Sequence, residues 1–145
     1  MFNESKTKEK YMRGTNHLAV WVSAIIAHVL GALWYGPVFG NAWMNFKDFK
    51  LEDINPSMLP YVLSFISCLL VAYVISWLFS KLSVTNMLQG ILMTMMFWLV
   101  FNAFEMAVLY SFQQESLGLL VINAGKSLVV YFMYGVILSS WRKKF

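Results

Sequence analysis

The sequence predicts an all-α integral membrane protein with four transmembrane helices, for three reasons. The chain contains four long apolar runs, only 12% of its residues are charged, and its basic residues concentrate at its two ends. A soluble domain carries about 25% charged residues. With 59% hydrophobic residues, a small soluble protein could not keep its apolar surface away from water. Runs of this length cross lipid as helices rather than as barrel strands.

Each run is close to the roughly 20 residues that cross a ~30 Å hydrocarbon core. The predicted spans lie at about 17–35, 59–80, 87–112 and 117–141. Segment 1–16 is polar and is expected to form a cytoplasmic tail, and the whole of 1–145 is expected to form a single membrane domain.

The distribution of basic residues predicts the orientation of these spans. With four spans, both termini and the link between the second and third runs lie on the same side of the membrane. That side holds eight basic residues: Lys6, Lys8, Lys10, Arg13, Lys81, Arg142, Lys143 and Lys144. The opposite side holds two, offset by three acidic residues: Lys47, Lys50, Asp48, Glu52 and Asp53. Since cytoplasmic loops are enriched in Lys and Arg, both termini are predicted to be cytoplasmic. Basic residues at the ends, rather than along one face, argue against a nucleic-acid partner.

The longest connection follows the first run and begins with a Gly-Pro turn. Aromatic residues recur at helical spacing after it, at Phe39, Trp43 and Phe46. This pattern predicts a short interfacial helix on the outer leaflet. Asn55 and Pro56 resemble the start of the second helix, with Asn as the cap and Pro in the first turn. The last connection, 113–116, is so short that the third and fourth runs must form an antiparallel hairpin.

Three segments of the chain resemble a known family. The first is a Trp-Tyr-Gly-Pro-x-Phe-Gly-x-x-Trp-Met signature, carried by Trp34, Tyr35, Gly36, Pro37, Phe39, Gly40, Trp43 and Met44. The others are Leu-Val-Ile-Asn-Ala-Gly at 120–125 and Val-Ala-Tyr-Val-Ile-Ser-Trp at 71–77. They are similar to the motifs of a family of small bacterial membrane proteins classed only as a domain of unknown function.

The resemblance covers most of the chain, from about 17 to 141. It implies four helices and a location in the bacterial inner membrane, and it implies no activity. The sequence departs from the family at Lys126, where an aromatic or amide residue is more usual. This departure argues against a family-wide role for a charge at this position.

Polar residues within the apolar runs are the candidate functional residues. An ionisable side chain at the centre of a spanning helix is unfavourable by about 2.5–3.5 kcal/mol on insertion scales, and such residues are functional candidates by default. The candidates are His28, Asn102, Glu105, Asn123 and Lys126. In each of the last two runs an Asn precedes a charge by three residues, a spacing that places both on one helix face. Glu105 and Lys126 are expected at similar depths, so the hairpin geometry allows them to face each other, with His28 able to join them.

Two interpretations of this cluster remain open. In the first, the chain is a carrier or channel component for protons, ions or a small solute, with Glu105 as the titrating carboxylate and Lys126 as its charge partner. In the second, it is an accessory or structural protein that packs against itself or a larger complex, and the cluster only fixes helix packing. Four helices are few to enclose a path alone, which favours a homo-oligomer or a larger membrane complex.

Enzymatic, metal and cofactor functions have little support in the sequence. It contains no nucleotide-binding loop, no HExxH motif and no nucleophile elbow. Its methionines lack the Cys or His ligands that would accompany them in a copper path. We therefore expect a non-enzymatic protein with neither a metal nor a cofactor.

Overall fold

The structure, a computed structural model, describes residues 15–50, 52 and 57–141, and within these ranges it is helical and contains no strand. Four helices are long and apolar enough to cross a membrane: His17–Val38, Leu59–Lys81, Met87–Gln113 and Leu117–Ser140. They are called the first to fourth spans below. Their bounds agree with the predicted runs to within three residues at each end. The predictions for the polar tail, for Asn55 and Pro56, and for the basic residues at both ends lie outside the described residues.

The first span begins at an Asn16 cap, whose side chain accepts a hydrogen bond from the N–H of Ala19. Regular α-helix covers His17–Leu33, and a π-helical turn, Trp34–Val38, completes the span. The predicted Gly-Pro turn is therefore wrong, because the helix continues through Pro37. Proline has no N–H to donate, and the wider π turn closes around it with a 2.9 Å bond from the N–H of Phe39 to the carbonyl of Trp34.

A short helix, Gly40–Lys47, follows directly and is called the linking helix. This confirms the helix predicted from the aromatic spacing. Gly40 is required at its start, since a Cβ there would lie 2.7 Å from the backbone oxygen of Tyr35. The linking helix ends at Asp48, which adopts the left-handed conformation with φ 50°.

The third span contains an interruption that the sequence did not predict. Its α-helices, Met87–Trp98 and Phe104–Gln113, are separated by a π-helical segment at Leu99–Ala103. Such π-bulges are rare and occur frequently at functional sites. This one contains Asn102.

The fourth span is the centre of the bundle and contacts each of the other three. It approaches the third span most closely, where Gly135 lies against the backbone of Ile91 and Gly90 lies against Ser139. The first and second spans pack on its other side around the buried side chains of Phe79 and Tyr134. The second and third spans hardly touch. A groove therefore remains between them, with the fourth span as its floor.

The start of the first span and the end of the fourth lie at the same end of the bundle. The side-chain amide of Asn16 donates a 2.9 Å hydrogen bond to the carbonyl of Trp141. At the opposite end, the last connection turns at Gln114, which has φ 54°. The order of the four spans is thus up-down, as the lengths of the connections predicted.

Candidate functional site

Lys126 lines a polar cavity of about 140 Å³ between the second, third and fourth spans. Lys126 is half-buried and lies nine residues from Leu117, which places its Cα about 13 Å from the N-terminal end of the fourth span. Its Cε passes close to Gly31, at 3.5 Å from the position a Cβ would take there. Most other lining residues carry hydrogen-bonding groups or sulfur: Ser67, Cys68, Asn102, Ser127, Tyr131 and Tyr134.

The charge on Lys126 has no carboxylate partner within the described ranges. The ion pair found there joins Lys47 and Glu115 at the surface, and Lys126 makes no hydrogen bond to a described residue. A charge removed from water normally requires a counterion or several hydrogen bonds. Lys126 is therefore a charged side chain of this cavity that has no counterion among the described residues.

A hydrogen-bond network attaches the π-helical segment of the third span to the fourth span beside Lys126. Ser127 Oγ lies 2.6 Å from Asn102 Oδ1 and accepts a 3.0 Å bond from the indole N–H of Trp98. Asn102 is thereby held against the cavity. The sequence pattern predicted Asn102 but not Ser127 or Trp98, whose only signal was a polar group inside an apolar run.

Asn123 is satisfied by two tyrosines rather than by the cavity. The hydroxyl of Tyr35 donates to Asn123 Oδ1 at 2.7 Å, and Asn123 Nδ2 donates to the hydroxyl of Tyr110 at 2.6 Å. In addition, the indole N–H of Trp34 donates to the carbonyl of Ile122 at 3.0 Å. Two of the three segments that carry the family resemblance, the predicted outer-interface signature and the fourth-helix motif, therefore bond to each other.

Glu105 does not face Lys126, although the hairpin geometry allowed that arrangement. The side chain of Glu105 is exposed on the surface of the third span, and no ion pair joins it to Lys126. Residues at i and i+3 share a face only where the helix is regularly α-helical. Asn102 instead belongs to the π-helical segment and Glu105 to the α-helix that follows. The change in helical geometry between them separates their faces.

His28 also lies apart from the cavity. Its ring packs edge-on against Phe65 with centroids 5.6 Å apart, and its Nδ1 is a long 3.5 Å from the hydroxyl of Ser64. Both partners belong to the second span. Of the five predicted cluster residues, the structure brings Asn102 and Lys126 to one cavity and leaves His28, Glu105 and Asn123 in three other environments.

The remaining signature residues hold the linking helix against the fourth span. The rings of Trp34 and Phe39 lie 4.7 Å apart, and Tyr35 meets Trp43 edge-on at 6.1 Å. Gly125 leaves room for Trp34, since a Cβ there would lie 3.3 Å from the indole ring. These contacts explain the aromatic signature as packing between the end of the first span, the linking helix and the fourth span.

A larger apolar cavity of about 320 Å³ adjoins the polar one. It occupies the groove between the second and third spans and shares two lining residues, Val71 and Tyr131, with the Lys126 cavity. Its other lining residues are Leu70, Val74, Ile75, Leu78, Phe97 and Phe101. Within the described part of the chain, no three His, Cys, Asp or Glu residues are grouped so as to hold a metal ion.

Comparison with known proteins identifies a family and no activity. No curated protein and no solved structure matches the chain. A family model described as a protein of unknown function, DUF1761, matches residues 18–139 and so covers all four spans. The chain belongs to the DUF1761 family.

Proposed function

We propose that this protein is a multi-pass protein of the bacterial inner membrane, with both termini in the cytoplasm, that binds a small anionic solute at Lys126 as a carrier or channel component. Support for the membrane location comes from the four long apolar helices. Support for the orientation comes from the eight basic residues assigned to the side of the termini.

Fusions of reporter proteins test the orientation. Fluorescent-protein fusions at either terminus should fluoresce, and an alkaline phosphatase fusion at Gln114 should be active. The reverse pattern would invert the orientation.

The observation that carries the functional proposal is the half-buried amine of Lys126, which lines a cavity without a carboxylate partner. Keeping a lysine at this depth is unfavourable by about 2.5–3.5 kcal/mol on insertion scales. A bound anion would offset this penalty. The side chains of Asn102 and Ser67 also line the cavity and can donate hydrogen bonds to the same anion.

This proposal replaces the proton relay through Glu105. A relay between Glu105 and Lys126 requires the two groups to lie within reach of each other, and Glu105 is exposed outside the cavity. The site that remains has a cation and hydrogen-bonding groups but no carboxylate among its lining residues. Its chemistry therefore favours an anion over a proton or a metal cation.

Uptake of radiolabelled methanesulfonate and octanesulfonate into proteoliposomes tests the proposal. Alkyl sulfonates remain charged at neutral pH and cross pure lipid slowly. We expect saturable uptake by the native protein, loss of that uptake in Lys126→Met, and retention in Glu105→Gln, the matched control for an intramembrane charge. Uptake that is equal in native protein and Lys126→Met, or absent for both sulfonates, would refute anion carriage at this site.

One observation favours the second candidate, an accessory protein that packs against itself or a larger complex. In an apolar 18-residue stretch of the third span only 6% is buried inside the bundle, whereas 22% to 28% is buried in the corresponding stretches of the other spans. The exposed Glu105 lies on this span, eight residues from its end at Gln113, which places it about 12 Å deep. A partner helix could satisfy this carboxyl, because polar side chains hydrogen-bond across membrane helices.

Association of this kind is measurable by single-molecule counting of labelled protein in bilayers. If the third span forms the interface, the native protein should associate, and Glu105→Leu should weaken that association. Val62→Leu, on the exposed face of the second span, should leave it unchanged. A native protein that stays monomeric at all densities would leave self-association without support.

A further inference from the structure

The polar cavity at Lys126 and the apolar groove form one continuous depression. Both are lined by Val71 on the second span and Tyr131 on the fourth. Lys126, Ser67 and Asn102 line the polar part. Beyond Val71 and Tyr131 the depression is almost wholly apolar. It thus has a cation and hydrogen-bonding groups at one end and aliphatic and aromatic side chains along the rest.

The apolar part opens sideways, toward the surface that the bundle presents to lipid. The second and third spans both pack on the fourth but hardly on each other. Side chains on the two walls of the groove remain exposed: Leu70 by 61%, Val74 by 54% and Phe101 by 69%. A molecule dissolved in the bilayer can therefore enter between these two spans without first passing through water.

We propose that the ligand of this site is a single-chain amphiphile with an anionic head group, which enters from the bilayer through the gap between the second and third spans. The inference rests on the proposed anion binding at Lys126 and names the class of anion. The head group binds the Lys126 amine and hydrogen-bonds to Asn102 or Ser67. The alkyl chain lies along Val71 and Tyr131 toward Leu78.

The dimensions of the depression match one chain. Ser67, beside the head-group position, and Leu78, at the far end of the groove, are eleven residues apart on one helix, so the depression is about 16 Å long. Ligand sites of this kind have volumes of about 300–1,000 Å³, and the apolar part alone provides about 320 Å³.

The charge of Lys126 at one end of the depression favours an anionic amphiphile over a neutral apolar molecule. Within an apolar groove a neutral chain gains little over the surrounding lipid, since both environments are equally apolar. The ion pair with Lys126 is the contact that lipid cannot provide. Occupancy should therefore depend on the charge of the head group more than on the length of the chain.

Photolabelling in nanodiscs tests this inference. The probe is dodecanesulfonate with a diazirine near the far end of its chain, and the control probe is the corresponding uncharged alcohol. With the native protein we expect the sulfonate to label the groove, on peptides that contain Leu78, Phe97 or Phe101. The alcohol should label these peptides at least fivefold less and should distribute over all exposed faces.

Two variants, Val74→Trp and Lys126→Met, test the groove and the head-group site separately, and Val62→Trp is the control. Val74→Trp fills the groove without touching Lys126 and should reduce groove labelling at least fivefold. Val62→Trp introduces the same residue on the same span, at an exposed position that lines neither cavity, and should leave labelling unchanged. Lys126→Met should reduce sulfonate labelling to the level of the alcohol. Cooperative thermal unfolding of each variant establishes that it is folded.

The outcomes distinguish this inference from the function on which it rests. Suppose that methanesulfonate uptake depends on Lys126, but that dodecanesulfonate labels all exposed faces or labels the groove equally in Val74→Trp. The ligand is then a small anion, and the proposal of an amphiphile is wrong. If the alcohol labels the groove as strongly as the sulfonate, the groove accepts neutral chains and the role of the head group is wrong. If nothing depends on Lys126, both proposals fail.

Discussion

Asn123 connects three spans through one side chain. It accepts a hydrogen bond from Tyr35 on the first span and donates one to Tyr110 on the third, while it belongs itself to the fourth. Interhelical hydrogen bonds of this kind contribute about 0.6 kcal/mol on average in a membrane protein, and at most about 1.7. Asn123 therefore acts in helix packing. Lys126, which has no carboxylate partner among the described residues, is the residue that can bind a ligand.

Replacing Tyr35 by Phe removes one of these hydrogen bonds and retains the ring contact with Trp43. We expect the free energy of unfolding to fall by about 0.5–1.5 kcal/mol, measured by steric trapping in bicelles. Tyr61→Phe is the matched control, because Tyr61 is 58% exposed and donates no hydrogen bond to a described residue. Equal effects of the two changes would contradict the assigned bond.

Lys126→Met should stabilise the bundle while it abolishes anion binding. The native amine carries a desolvation penalty without a carboxylate partner, and methionine has a similar length without the charge. We expect an increase of about 1–3 kcal/mol in the free energy of unfolding. Asn102→Leu should have the opposite effect, because it leaves the hydroxyl of Ser127 without its 2.6 Å contact. A Lys126→Met protein less stable than the native one would show that the charge has a structural partner.

Among the helices, close packing is decided at a few glycines. The third and fourth spans approach through Gly90 and Gly135, and the linking helix approaches the fourth span where Phe46 covers Gly118. Small residues at such positions allow backbones to come together, which is how membrane helices gain van der Waals contact. Gly90 and Gly135 therefore mark where the third span is attached to the fourth span.

Gly135→Ala should push the third and fourth spans apart. A Cβ at this position would lie 2.8 Å from the Cα of Ile91 and 2.5 Å from the hydroxyl of Thr94, and backbone cannot move aside as a side chain can. Overpacking of this kind destabilises by about 1–3 kcal/mol. Gly36→Ala is the control, since nothing lies within 4 Å of its Cβ position. The measurement is the unfolding free energy of both variants in bicelles.

Gly118→Ala should release the linking helix from the fourth span. The new Cβ would overlap the ring of Phe46, and the exposed ion pair between Lys47 and Glu115 adds only about 0–1 kcal/mol to hold the helix. We expect faster hydrogen exchange at 40–47, measured by mass spectrometry. Leu117→Ala, at the neighbouring position where the side chain is 78% exposed, should leave exchange in that segment as it is in the native protein.

At the scale of the whole molecule, the first, second and fourth spans form one group around the buried core, and the third span is attached to this group mainly through the fourth. The first, second and fourth spans surround the buried core, whereas the third span is the least buried. The unequal attachment creates the groove. It also leaves Glu105 exposed, so the same asymmetry underlies both the ligand site and the candidate interface.

Electron paramagnetic resonance can determine whether the groove opens to lipid or to water. A spin label at Phe101→Cys in a Cys68→Ala background lies on the groove wall. We expect its relaxation to respond to oxygen, which dissolves in lipid, and hardly to a water-soluble nickel complex. A strong nickel response at Phe101→Cys would mean a water-filled path and would favour a channel.

The sequence by itself determined the number of spans, their approximate bounds and the helix that follows the first span, because length, apolarity and periodicity are local properties that lipid constrains strongly. The tertiary structure decided which polar residues meet. The π-helical segments at Trp34–Val38 and Leu99–Ala103 shift the helix faces after them, so spacing in the sequence misassigned Glu105. The groove arises because whole helices pack unequally on the fourth span. The distances between helices cannot be predicted from the pattern of residues along one helix.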